Sequence, residues 1–183
     1  MSIGQVLRET RVEYGLSLQS LASRLYIGKS SLSDYERERI PAPAEVLTGL
    51  TQTIDSHRLA MAVANEATGG AAGMVWLDGD VDLHRAVVRD KTLEELGEAM
   101  EHLRQVAVLN PPRTVTEDQR EAIADSLLEL MDSRTAIDVC IDIFCREYGV
   151  SPMSIKNAHR QKLESRGYIK PRQTKKKAAL KSR

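Results

Sequence analysis

The segment LSLQSLASRLYIGKSSLSDYERERIPAP, residues 16–43, constrains the fold more than any other part of the chain. Its apolar residues recur at the three- and four-residue spacings of two short helices, with only a few residues between them for a turn. Ser17 is suited to cap the first helix, and Gly28 stands where the second one begins. The segment therefore predicts two short helices packed across a sharp turn.

A close crossing of two such helices requires a small residue in the first one, and Ala22 provides it. Such a turn commonly uses a residue with positive φ, a conformation that costs a residue other than glycine about 1–2 kcal/mol, and Tyr26 stands at this position. The side chains predicted to point inward are Leu21, Leu25, Ile27, Leu32 and Tyr35.

The run GQVLRETRVEYGLSLQSLASRLYIGKSSLSDYERERIPAP resembles the lambda-repressor-like, Cro-type regulators of the XRE family. Typical members read roughly LRxxRxxxGLSQxxLAxxLGVSxSxISxxERGxxxP. The resemblance covers residues 2 to about 55. Tyr26 replaces the family's turn glycine, Leu18 replaces the glutamine that opens the family's second helix, and Glu38 replaces the glycine after "ER". The resemblance implies a helix-turn-helix bundle that binds double-stranded operator DNA as a twofold dimer.

The resemblance also implies that the third helix enters the major groove with its first turn towards the bases. Lys29 can then donate to guanine, and Asp34 can accept from the amino group of cytosine. The residues expected to contact bases or phosphates are Ser17, Gln19, Gly28, Lys29, Ser30, Ser31, Ser33, Asp34, Arg37 and Arg39. Arg8 and Arg11 are the other nearby cations.

The net charge of zero conceals an uneven distribution. Residues 1–57 hold 6 basic and 7 acidic residues, and residues 58–132 hold 7 and 15. Residues 133–183 hold 13 basic and 4 acidic residues, so a polyanion is expected at this end of the chain.

A second helix-turn-helix is suggested at residues 135–166, where YGVSPMSIKNAHRQKL is similar to the GVSxxTVxRxL run of many such proteins. Its inward positions fall on Phe144, Tyr148, Val150, Ile155 and Ala158. The residues that it would show to DNA are Ser151, Met153, Ser154, Lys156, Asn157 and Arg160. The alternative is an ordinary corner between two helices with a basic, solubilising face.

Residues 92–107 carry apolar residues at spacings of 3, 4, 3 and 4, namely Leu93, Leu96, Met100, Leu103 and Ala107. Thr92 with Glu95, and Thr116 with Gln119, have the spacing of capping boxes and predict helix starts. The stripe is interpreted either as one buried face of a helical bundle or as a dimer interface. Residues 83–132 are the candidate for homodimerisation.

The predicted fold class is all-α, with an N-terminal lambda-repressor-like helix-turn-helix bundle and a C-terminal helical domain. The predicted organisation is a DNA-binding domain at residues 1–57, a helix and linker at 58–82, a helical domain at 83–169 and a disordered basic tail at 170–183.

Other classes of site receive little support. DGDVDLH at residues 78–84 fails the calcium-loop pattern, and Asp82 is expected to cap the next helix instead. Cys140 and Cys145 are expected to be reduced, and we expect no metal, no cofactor and no enzyme activity. No segment reaches the roughly 20 apolar residues of a membrane span, and no secretory signal opens the chain, which favours the cytoplasm, at the bacterial nucleoid.

Two functional hypotheses follow. The first is a sequence-specific transcriptional regulator of phage or mobile-element type, in which repression is favoured over activation. The alternative is a helix-turn-helix module that binds a protein partner instead of DNA.

Overall fold

The computed structural model describes residues 2–77, 79–106 and 112–171. These residues form two compact units, which divide after residue 152. The predicted all-α class is confirmed, since no strand occurs in the described ranges. The helices are α1 (Ile3–Glu13), α2 (Leu18–Arg24), α3 (Lys29–Glu36), α4 (Ala44–Thr53), α5 (His57–Ala67), α6 (Arg85–Gln105), α7 (Glu117–Tyr148) and α8 (Pro152–Ser165), with a 3-10 turn at Pro112–Thr114.

Helices α1 to α5 build the first core. Its fully buried members come from every one of these helices, which is the packing that their apolar spacing predicts. They include Leu7, Leu21, Leu32, Leu50 and Leu59. The predicted cap at Ser17 is confirmed, because its side chain accepts the Ser20 backbone N–H at 3.0 Å.

A buried ion pair holds α3 on α1. The Arg11 guanidinium donates twice to the Glu36 carboxylate, at 2.5 and 2.9 Å, and also donates to the Leu16 carbonyl at 2.8 Å. The side chains are 11% and 4% exposed, and the hydrogen bond from Arg11 to Glu36 raises the pKa of the guanidinium. Arg11, one of the cations expected near DNA, therefore has a structural role.

Helices α6 and α7 form an antiparallel hairpin whose contact surface combines small residues with a cluster of branched apolar ones. Val88, Thr92 and Ala99 of α6 are buried, as are Ser126 and Ser133 of α7. The Ser133 hydroxyl donates to the Glu95 carbonyl across the hairpin at 2.8 Å. Small side chains let the two backbones approach closely, whereas Val88, Val139 and Ile143 form a buried apolar cluster near the start of α6.

The structure confirms one predicted capping box and corrects the other. At the start of α7, the Thr116 side chain accepts the Gln119 backbone N–H, and the Gln119 side chain accepts the Thr116 backbone N–H. Thr92 lies inside α6, where its hydroxyl is 2.7 Å from the Val88 carbonyl and 3.2 Å from that of Ala136. The N-cap of α6 is His84, whose ring accepts the Ala86 N–H at 3.3 Å. Asp82, expected to be that cap, accepts the His84 N–H at 2.8 Å.

Polar contacts join α5 to α7. The His57 ring lies 3.0 Å from the Asp138 carboxylate, and the Arg58 backbone N–H donates to Asp142 at 2.8 Å. Burial raises the pKa of the Asp142 carboxyl. The Arg58 guanidinium pairs with Glu9 of α1 and lies 5.1 Å from the centre of the Trp76 ring. The helix-turn-helix bundle and the hairpin therefore share one compact unit.

Several positions expected to be buried are exposed. The stripe at Leu93, Leu96, Met100 and Leu103 faces solvent, so its interpretation as a buried bundle face is wrong. The expected inward positions Tyr148, Val150, Ile155 and Ala158 are also exposed. Ala107, Asp78 and the basic tail from residue 172 lie outside the described residues.

The second unit contains nearly all of α8, which ends at Ser165. Arg160 pairs with Glu164 one helical turn later, at 2.9 Å. Gly167 has a φ of 72° and follows the end of the helix, as its position in the sequence predicts. Across the residues that the structure describes, no helix is long and apolar enough to cross a membrane.

The Arg11–Glu36 pair generates a stability prediction. We expect Glu36→Gln to lower the free energy of unfolding by about 3 kcal/mol, because it leaves a buried guanidinium without its counter-charge. Urea unfolding followed by circular dichroism measures the change.

The matched control is Asp34→Asn. Asp34 lies on α3, as Glu36 does, and this change breaks its ion pair with Arg39 at the surface. This change should cost less than about 1 kcal/mol, since exposed ion pairs contribute little. Equal losses in the two variants would show that the buried pair does not hold α3 in place.

Candidate nucleic-acid interface

The turn between α2 and α3 adopts the left-handed conformation that its position predicts. Tyr26 has a φ of 56°, and its side chain is 96% exposed. The Ile27 N–H reaches back to the Ala22 carbonyl at 3.0 Å, which closes the end of α2. Ala22 is fully buried, as a small residue at the helix crossing should be.

A second left-handed residue lies just beyond α3. Glu38 has a φ of 57°, and its carboxylate accepts the Gly4 N–H at 3.1 Å. Both non-glycine residues with positive φ in the described ranges thus stand where the XRE pattern has glycine. Both positions keep the positive φ that the pattern requires, although neither residue is glycine.

Gly4 was not identified from the sequence as a positioning residue. A Cβ atom there would lie 2.7 Å from the Tyr35 carbonyl and 2.6 Å from the Glu38 Cγ. Only glycine permits this approach of α1 to the end of α3. A glycine inside the first turn of an otherwise regular helix was the available signal.

The predicted base-reading residues share the first two turns of α3. Lys29 and Ser30 are exposed, whereas Ser31, Ser33 and Asp34 are partly buried. Gly28 is the N-cap and has no side chain to bond the helix N-terminus. An exposed cation next to unbonded backbone N–H groups gives this end of the helix a positive potential.

Other predicted contact residues are partly engaged within the protein. Arg39 pairs with Asp34 at 3.3 Å, so each lowers the charge that the other presents. The Ser17 hydroxyl is occupied as a helix cap, and the Gln19 amide lies 3.4 Å from the Ser23 hydroxyl. Arg37 is exposed.

The residues of the second predicted motif divide between the two units. In the first unit, the Ser151 hydroxyl donates to the Asp55 carboxylate. In the second, Met153, Ser154, Lys156, Asn157 and Arg160 are exposed along α8.

Within the described ranges, one group of carboxylates has the spacing of metal ligands. Oxygen atoms of Glu95, Glu129 and Asp132 lie within 4.8 Å of one another. Glu95 already pairs with Lys91 at 2.9 Å, which partly neutralises the group. Exposed acidic clusters are common without a metal, and we assign none here.

The strained turn generates a second prediction. We expect Tyr26→Gly to raise the free energy of unfolding by about 1 kcal/mol, because glycine adopts positive φ without steric cost. The control Tyr26→Ala removes the exposed ring but keeps the strain, so its stability should change by only a few tenths of a kcal/mol. Thermal unfolding measures both variants, and equal stabilisation would assign the effect to the ring.

Comparison with known proteins agrees with this geometry. Residues 7–55 match the family model described as "Helix-turn-helix". No curated protein and no solved structure matches the chain significantly. The match covers α2, α3 and α4 and most of α1, and it indicates a DNA-binding regulator of the XRE type. Residues 7–55 therefore form a helix-turn-helix segment that is consistent with the XRE type and similar to those of Cro and lambda repressor.

Proposed function

We propose that the protein is a sequence-specific regulator of transcription that binds operator DNA through α3. The observation that carries the proposal is the first turn of α3, where Lys29 and Ser30 are exposed at a helix N-terminus without a side-chain cap. In this geometry Lys29 and the adjacent serines meet base edges, and Arg37 approaches the phosphates.

We further propose that the regulator is a homodimer through residues 83–132 and acts mainly as a repressor of phage or mobile-element type. A dimer bound to an operator excludes polymerase by occupancy alone, whereas activation requires an additional contact surface. DNA binding places its action in the bacterial cytoplasm, at the nucleoid. The functional division is the one predicted from the sequence: recognition by residues 1–57 and assembly by the helical region.

The basic residues of the second unit support a role for this unit in increasing the affinity for DNA. Residues 153–171 contain the five basic residues Lys156, Arg160, Lys162, Arg166 and Lys170, against Glu164 alone. All five basic residues are exposed. The helix-turn-helix segment has only six basic residues against seven acidic ones, and Arg11 is buried against Glu36. Phosphate contacts from α8 would supply affinity that the first domain lacks.

The scarcity of basic residues in residues 1–57 favours one alternative function, the binding of a protein partner. A helix-turn-helix fold with a net charge of −1 over residues 1–57, from 6 basic and 7 acidic residues, is also suited to contact a protein partner. The two functions are separated by whether specific DNA binding occurs and whether it depends on α3.

We expect Lys29→Glu to weaken specific DNA binding by about tenfold to a hundredfold, since one good base contact contributes roughly 1–3 kcal/mol. Fluorescence anisotropy at fixed salt, with DNA from the promoter region beside the gene, measures this effect.

The control for Lys29→Glu is Arg113→Glu, which makes the same charge change at an exposed residue outside the bundle. Equal weakening by both variants would argue against reading of DNA by α3. Absence of specific binding by the wild-type protein at low salt would favour the protein-binding module.

A further prediction concerns α8. We expect the double variant Lys156→Glu, Arg160→Glu to weaken binding to all sequences alike and to reduce the salt dependence, by about 0.9 in the log–log slope for each phosphate that the variant no longer neutralises. Anisotropy titrations over a series of salt concentrations give the slope, again with Arg113→Glu as control. An unchanged slope would assign the basic face of α8 to solubility alone.

A further inference from the structure

The α6–α7 hairpin has an apolar side that its own packing does not cover. On α6, Leu93, Leu96, Met100 and Leu103 are between 38% and 61% exposed. On α7, Leu127, Leu130 and Met131 are between 37% and 55% exposed. These seven side chains are called the apolar face below.

The two rows lie on the same side of the hairpin. Leu96, Met100 and Leu103 line one groove together with Leu130, and its volume is about 460 Å³. The buried small residues Ala99 and Ser133 also line this groove, as do Ile137 and the charged residues Arg134 and Asp138. A groove with small residues between two rows of large apolar ones is suited to receive apolar side chains from another helix.

Most acidic residues of the hairpin lie on other sides of both helices. At about 100° per residue, the apolar row of α6 spans roughly 80° of the helix, and the row of α7 spans roughly 100°. Most carboxylates lie outside these arcs, at Asp90, Glu94, Glu95, Glu98 and Glu101 on α6 and at Glu117, Asp118, Glu121, Asp125, Glu129 and Asp132 on α7. Asp138 lies within the arc of α7 and lines the groove, but its carboxylate is 3.0 Å from the His57 ring and 4.0 Å from the Arg134 guanidinium.

The cations that border the apolar face are paired within the same chain. Arg89 lies 2.7 Å from Asp90, and Arg104 lies 3.5 Å from Glu101. Arg120 lies 3.6 Å from Glu117, and Arg134 lies 4.0 Å from Asp138. Because these cations are paired, the border of the apolar face does not favour a highly charged partner. It is compatible with an identical apolar face of a second copy.

We propose that the apolar face is the site where a second copy of this chain docks, so that two α6–α7 hairpins form a four-helix bundle around a twofold axis. This inference rests on the homodimer in the proposed function and specifies its contact surface. In a twofold interface the same patch serves both copies, which an uncharged apolar face permits. The acidic sides of the two hairpins then point away from each other and into solvent.

The available area is sufficient for a stable dimer. At these exposures the seven side chains present on the order of 600 Å² of apolar surface, which equals the largest patch of a typical monomer. Pairing two copies would bury about 1,200 Å² in total, which is at the lower bound of specific, stable interfaces. The segment after α5 extends the face, because Met74 also lines the groove.

The chain offers a matched pair of variants as a test. Leu127 lies on the apolar face and is 55% exposed, whereas the adjacent Leu128 is 61% exposed and lies about 100° around the helix, outside the face. Sedimentation velocity of the full chain without DNA, over a series of concentrations, gives the oligomeric state of each variant. Because no DNA is present, this result is independent of whether α3 binds an operator.

We expect a wild-type dimer, association weakened by roughly tenfold or more in Leu127→Glu, and an unchanged dimer in Leu128→Glu. Circular dichroism should be the same for all three proteins, since both leucines are exposed. Should Leu127→Glu lose helicity, Leu93→Glu tests the same face from α6. A monomeric wild-type chain, or equal weakening by Leu127→Glu and Leu128→Glu, would overturn the proposal.

Discussion

The position of α3 depends on the buried pair between Arg11 and Glu36. This helix is only eight residues long, from Lys29 to Glu36, which is too short to be stable alone. The two hydrogen bonds to Arg11 fix its C-terminal end on α1, and Leu32 anchors its centre in the core. Its N-terminal turn is then held outward, with Lys29 in solvent. A helix that reads DNA requires one end held against the protein and the other end exposed to solvent.

The same end of α3 shows how a sequence pattern can persist without its usual residues. Tyr26 and Glu38 replace glycines of the XRE pattern, yet both keep the left-handed backbone. At Glu38 the carboxylate bonds the Gly4 N–H, which offsets part of the strain. At Tyr26 the side chain is exposed, and the packing of α2 against α3 must hold the turn. The conformational demand comes from the crossing of the helices and not from the residue at the turn.

Along much of the α6–α7 hairpin, small residues are buried and larger apolar residues are exposed, although Val88, Val139 and Ile143 are buried near the start of α6. Leucine and methionine at helical spacing normally mark a buried face, but here Thr92, Ala99, Ser126 and Ser133 are buried in their place. Small residues give a short distance between helix axes, and Thr92, Ser126 and Ser133 bond backbone carbonyls across or along the hairpin. An apolar row left outside such a hairpin has the character of an interface.

The sequence by itself determined the local features whose causes lie within a few residues. These are the helical class, the caps at Ser17 and Thr116, the left-handed turn at Tyr26 and the helix-turn-helix match. Tertiary structure decided which apolar residues are buried and which cations are available. Spacing along one helix defines its faces but does not specify which face the neighbouring helix covers. For this reason the exposure of Leu96, the pairing of Arg11 and the need for Gly4 became evident only when α1, α3, α6 and α7 were placed against one another.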